Sequence, residues 1–278
     1  MTAATLLTRA AGPDPRSRIA RSGRLIWAEW IKIRSVPSTA WSLAVLALAT
    51  VGLNTVVVAM AIANWDTTTA AVRHSYLADP TGFLAAALVF AQIPVCVFGV
   101  LVITGEYATG MIAASVLAVP RRTPMLAAKA FVLGPLILVV GELVAFASFA
   151  IAQAIAHAHV PMSLSNPAEL RAVAGVGLYL GVLGLLSLAI GALARHTGAA
   201  IAVTVGLVTV ASGLARLIPG SAGAHISAYL PASAGLLITH ATHHATGLLS
   251  PWQGFAVFCG WAAMLLAAAA RAVSRRDV

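Results

Sequence analysis

Residues Phe83–Thr104 read FLAAALVFAQIPVCVFGVLVIT, twenty-two positions without a formal charge. At about 1.5 Å of rise per residue, a helix of that length crosses a hydrocarbon layer of about 30 Å. Five more stretches have similar length and apolarity: Trp41–Ala63, Ala130–Ala156, Arg171–Ala194, Thr197–Ile218 and Trp252–Ala270. Six such runs predict an all-α membrane protein with six transmembrane helices. The charges between them give the orientation. Fourteen of the seventeen basic residues fall on the side of the N-terminus, and only Arg73, Arg171 and Arg216 fall on the other. By the positive-inside rule this predicts a multi-pass protein of the plasma membrane with both termini cytoplasmic.

Composition agrees. The chain is 60% hydrophobic and 9% charged, too little charge for the surface of a soluble domain of this size. Its net charge of +9 does not indicate nucleic acid, because the basic residues border the spans instead of gathering on one surface. They read as lipid-headgroup anchors and topology signals. Cys96 and Cys259 both fall within spans, so neither is placed for a disulfide or a metal. Residues 1–22 are Arg-rich with Pro13 and Pro15 and have no apolar signal-peptide region, which predicts a disordered cytoplasmic tail.

Residues 23–36 open on GRLIWAEWIKIRS. Ile26, Trp30 and Ile33 recur at helical spacing with Trp27 beside them, whereas Arg24, Ala28, Lys32 and Ser35 fall opposite. The pattern predicts an interfacial helix along the inner leaflet, carrying Trp27, Glu29, Trp30, Lys32 and Arg34 and ended by Pro37. The alternative is an inward extension of the first span. Residues 37–278 form the six-span domain.

The link after the second span is long. Gly105–Lys129 reads GEYATGMIAASVLAVPRRTPMLAAK, whereas helix connections usually need about 2–8 residues. Tyr107–Val119 predicts a short helix on the membrane surface, ended by Pro120, with Arg121, Arg122 and Lys129 meeting lipid phosphates. A protruding cytoplasmic helix suggests a docking site for a cytosolic partner. Glu106 either caps that helix or pairs with a partner's arginine. On the outer side, Pro219–Pro251 predicts one or two short helices dipping into the outer leaflet.

Few residues carry chemistry. Asn54, Gln92, Glu142 and Gln153 are polar positions inside spans and candidates for a substrate path, although such residues more often join helices. Glu142 is open to three readings: path residue, proton relay or structural hydrogen bond. His240, His243 and His244 have zinc-compatible spacing but no carboxylate or cysteine nearby, so they read as a polar loop and no metal is expected. No phosphate-binding loop is present, since neither lysine, Lys32 or Lys129, follows a glycine. No cofactor is therefore expected in this chain.

Gly99–Ala130, GVLVITGEYATGMIAASVLAVPRRTPMLAAKA, resembles permease subunits of type-2 ABC exporters from actinobacteria, and LIWAEWIKIRSVPSTAW is similar to their entry segment. The resemblance implies a dimer of six-span units, homomeric or with a similar permease, docked to two ATPase subunits that bind ATP and magnesium. It implies that the link is a coupling helix, with Glu106, Tyr107, Thr109, Gly110, Met111, Ile112 and Ala113 at the ATPase. Many relatives carry a basic residue where Ala113 stands. The entry helix would be the elbow, and the second and fifth spans would line the path of a hydrophobic, lipid-like or drug-like cargo. The competing expectations are an integral-membrane lipid-modifying enzyme and a proton-coupled carrier using Glu142.

Overall fold

The computed structural model describes residues 15–35, 37–108, 122–219, 221–242 and 248–275. Its helices are α1 (Pro15–Ser35), α2 (Pro37–Ala63), α3 (Ala70–Ala78), α4 (Gly82–Ala108), α5 (Arg122–Ala156), α6 (Pro167–Ala194), α7 (Thr197–Val205), α8 (Ala211–Arg216), α9 (Ser221–Tyr229), α10 (Pro231–Leu236) and α11 (Pro251–Arg275). A π-helical turn, Gly206–Val210, joins α7 to α8, and a 3-10 turn, Leu237–Thr239, follows α10. Among the described residues there is no strand.

Six segments are long and apolar enough to cross a membrane: Ala40–Ala63, Gly82–Tyr107, Thr123–Ala156, Pro167–Ala194, Thr197–Arg216 and Pro251–Arg275. These are the six expected runs. The largest shift is in α5, which starts at Arg122, eight residues before the expected Ala130. Pro124 falls in its first turn, where the missing N–H has no intrahelical partner to lose. Lys129 therefore sits about two turns inside a helix and not in a link. Residues 15–22, expected as disordered tail, continue α1 as helix. The coupling-helix residues Thr109, Gly110, Met111, Ile112 and Ala113 lie outside the described residues, as do His243 and His244.

α6 is the central helix, with 78% of its most apolar window buried against 22% for α2, for the α7–α8 segment and for α11. Its start is locally encoded. Asn166 caps it by accepting from the Ala168 amide, Pro167 takes the first position, and Glu169 accepts from Asn166 Nδ2 and from the Ser163 amide. These bonds satisfy donors that a helix N-terminus otherwise leaves open. Small residues then let α6 approach its neighbours closely. A Cβ at Gly99 of α4 would stand 2.8 Å from the Gly184 carbonyl oxygen, and one at Gly177 would stand 2.5 Å from the Glu142 carboxyl carbon.

α2 packs through a stripe at steps of four, Leu46, Thr50, Asn54 and Val58, all buried. Its opposite face leaves Trp41, Leu48 and Met60 largely exposed, an apolar exterior that suits lipid and not water. Between Pro219 and Pro251 there are two short helices, α9 and α10.

Candidate functional site

Four charged side chains meet where α1, α4 and α5 converge. Lys129 Nζ of α5 donates to Glu29 Oε2 of α1 and to Glu106 Oε1 of α4, each at 2.7 Å. Lys32 Nζ, one turn beyond Glu29, donates to Glu29 Oε1 and Glu106 Oε1, each at 3.1 Å. Glu29, Lys32, Glu106 and Lys129 thus form a closed ring of alternating sign with no net charge. Lys129 is 2% exposed, Glu29 5% and Glu106 7%; only the Lys32 side chain, at 38%, reaches solvent substantially. Burial by itself disfavours the Lys32 ammonium, but the Glu29 and Glu106 carboxylates outweigh it and hold Lys32 above the ordinary lysine value.

Lysine suits this task because its compact ammonium has three rotatable donors and can bridge two carboxylates from different helices. The chain contains two lysines, and both are in the ring. Glu106 Oε2 is buried without a hydrogen-bond partner, so the ring keeps one unused acceptor. Beside it, Tyr107 lies under the Arg195 guanidinium at 5.5 Å, a cation–π contact that ties the end of α4 to the turn between α6 and α7. Arg195 makes that turn in the left-handed conformation, with φ 59°.

Three sequence expectations change here. Lys129 does not meet lipid phosphates; it is the most buried member of the ring. Lys32 is not turned away toward a polar surface, since it faces Glu106. The α1 face that meets the bundle centres on Glu29, flanked by the half-buried Ile26 and Ile33, whereas Trp27, Trp30 and Ile31 are exposed. A packing signal from Glu29 was missed because Lys129, its partner on another helix, lies 100 positions away in the chain. Arg34 is exposed.

The four candidate path residues do not converge. Asn54 Nδ2 donates to the Ser148 carbonyl at 3.0 Å, joining α2 to α5. Gln153 Nε2 donates to the Met162 carbonyl at 2.8 Å. Glu142 packs against Gly177 with no hydrogen-bond partner at Oε2. Gln92 accepts from the Tyr179 hydroxyl at 2.6 Å, and the Tyr179 ring stacks on Phe258 of α11 at 5.1 Å. Of the four, Gln92 alone lines the large open cavity of about 750 Å³ bordered by α4, the π-turn, α8, α9 and α10.

The rim of that cavity is held by a second polar network, at the end of the bundle opposite the ring. Asp79 accepts from Thr81 Oγ1 at 2.7 Å and lies 2.7 Å from His240 Nδ1. Arg171 Nη2 donates to the His240 carbonyl at 2.7 Å, and the Ala241 amide donates to Thr81 Oγ1 at 2.9 Å. Burial by itself raises the Asp79 carboxyl, but hydrogen bonds from His240 and Thr81 outweigh it and leave Asp79 below the usual carboxylate value. His240 is thus engaged by a carboxylate, and the described residues contain no cluster of metal-ligating side chains.

Neither the family models nor the curated proteins searched gave a match to this chain.

Proposed function

We propose that this chain is the membrane-spanning permease subunit of an ATP-driven exporter, one of a pair docked to two separate ATPase subunits. The reading is supported by the resemblance of Gly99–Ala130 and of the entry segment, by the six apolar helices, and above all by the ion ring. α4 stops at Ala108 and α5 begins at Arg122, so the ring grips both helices from which residues 109–121 depart. A load applied to that link would pass directly into two membrane helices and, through Glu29 and Lys32, into α1.

In this reading the ring end faces the cytosol, in keeping with the excess of basic residues on that side. ATP closing the partner subunits displaces the link and biases the permease between inward- and outward-facing packings. That requires ATP to favour one packing by a few kcal/mol. This chain's own residues transmit the displacement and line the cargo route. Nucleotide chemistry belongs to the partner, since both lysines here are engaged by carboxylates. The cavity bordered by α4 and the α7–α8 segment supplies a mixed polar and apolar surface for a lipid-like cargo.

The unpartnered Glu142 favours a second reading, a proton-coupled carrier. Glu142→Gln should then alter the pH dependence of transport, whereas an unchanged profile removes that reading. The permease reading predicts an ATPase encoded beside this chain's gene and is tested with that subunit in liposomes. Adding the chain should change ATP hydrolysis, and replacing residues 109–113 with Gly and Ser should abolish the change while leaving membrane insertion intact. Hydrolysis indifferent to the chain, with no physical association, would refute it. The link is a cleaner target than Glu106, whose substitution also opens the ring.

A further inference from the structure

The cavity of about 750 Å³ is within the size range of small-molecule sites, about 300–1,000 Å³, and its lining is divided. Val89, Val208, Leu236, Leu237 and Leu249 give it apolar walls. Arg216, Ser212 and Ser227 form a polar corner. Arg216 Nε donates to Ser227 Oγ at 3.3 Å, and Ser227 Oγ donates to the Ser212 carbonyl at 3.4 Å. Ser212 and Arg216 are four residues apart on α8 and so share a helix face.

Two groups in this corner are left with unused bonding capacity. The Ser212 hydroxyl is buried with no hydrogen-bond partner, an arrangement that costs free energy unless something occupies it. Arg216 is tethered through Nε, and among the described residues its terminal nitrogens have no protein acceptor and its charge no carboxylate partner. Tethering at Nε leaves the two terminal nitrogens as a fork suited to a carboxylate or phosphate. No carboxylate lines the cavity. Asp79, which lies behind the lining residue His240, is already occupied by His240, Thr81 and the Ala241 amide.

The π-turn contributes the remaining feature. The Ala211 amide bonds to the Gly206 carbonyl, five residues back, and this inserts one extra residue into the α7–α8 segment. Such turns shift the facing of every side chain beyond them. Here the residues beyond are Ser212 and Arg216, which the altered register presents to the cavity.

The geometry points to a binding site for an anionic amphiphile: a molecule with an apolar chain along the leucine-lined wall and a single phosphate or carboxylate group held by Arg216 and Ser212. This names the cargo class for the permease reading and rests on that reading only for its part in transport. Binding itself belongs to this chain alone.

Native mass spectrometry of the full chain in a nonionic detergent tests it, with dodecyl phosphate, dodecanoate, dodecanol, phosphatidylglycerol and inorganic phosphate as probes. Dodecyl phosphate or dodecanoate should bind at least about tenfold more tightly than dodecanol, the worth of one charge-assisted hydrogen bond. Inorganic phosphate should not compete at equal concentration, because it lacks the chain. Arg216→Gln should erase the preference, Arg216→Lys should keep part of it, and Arg271→Gln, at the opposite end of the bundle, should leave it unchanged. Stronger binding of phosphatidylglycerol than of the single-chain probes assigns the headgroup to a bilayer lipid; the reverse assigns it to a single-chain amphiphile. Dodecanol binding as tightly as the anions overturns the proposal without needing any variant. So does an Arg216→Gln protein that keeps the preference, or inorganic phosphate competing as well as the alkyl phosphate. A chain that binds the anions but ignores the ATPase removes the permease reading and leaves this one standing. A chain that couples normally with no anion preference does the opposite.

Discussion

At the end of the bundle where α4 stops, four charges from three helices close on one another, and only Lys32 among them reaches solvent substantially. At the opposite end the charges are spread around an open space: Asp79 and Arg171 hold the His240–Ala241 segment, and Arg216 projects from α8 with its terminal nitrogens free. The first arrangement fixes helices to one another. The second secures a rim and leaves a cation available. The same few residue types thus serve cohesion at one end and reception at the other, and the difference lies in whether each charge meets its opposite within the chain.

The largest test of this contrast is Lys129→Met, which leaves two buried carboxylates sharing only Lys32. Removing one partner of a buried ion pair costs about 3–5 kcal/mol, and chemical unfolding in detergent should show a loss of that size. A loss under about 1 kcal/mol would mean that the ring is not what fastens these helices. Lys129→Arg, which keeps a cation between Glu29 and Glu106, should retain part of what Lys129→Met loses.

Asp79→Ala at the opposite end should cost less, about 1–3 kcal/mol for hydrogen bonds to a charged acceptor. The effect should stay local, as faster hydrogen exchange at Ala241 with the ring-end amides unchanged. Acid should mimic it. Because Asp79 sits below its ordinary value of 3.8, its contribution is complete above that pH and disappears as pH falls through the lower folded value. A rim that loosens at pH 5 would contradict this assignment.

Lys32→Ala should have the smallest effect, within about 0.2–1 kcal/mol, because solvent screens a side chain that is 38% exposed. The pH dependence has the opposite sign. Lys32 is raised above 10.5, so its contribution is complete below that pH and is lost only as pH climbs through the higher folded value. Thermal midpoints at pH 8 and 9.5 should therefore differ between wild type and Lys32→Ala by the same margin.

The six membrane-length helices were legible because an apolar run of about twenty residues is a local signal. Their ends were less so. Pro124 in a first turn is compatible with helix, and α5 gained eight residues. The ring was illegible because its contacts between helices span 23, 74 and 100 positions along the chain, and no local periodicity records which carboxylate will meet which ammonium of another helix. Helical spacing set Lys32 opposite Ile26, Trp30 and Ile33 but gave no reason to turn Glu29 and Lys32 toward protein and the tryptophans away. Gln92 was chosen as a polar residue in a span and does border the cavity. Arg216, counted only as one of three basic residues on its side, was overlooked there.

Concentrating both lysines in one knot has a practical outcome at the bench. An endoproteinase restricted to lysine has two bonds to cut, and one of them follows a residue with 2% of its surface accessible. Digestion at Lys129 should wait for the knot to come apart, which makes the appearance of that fragment a clock for opening at this end. Amine-reactive dyes should likewise mark Lys32 first and Lys129 only after denaturation, so a standard labelling protocol doubles as an integrity assay.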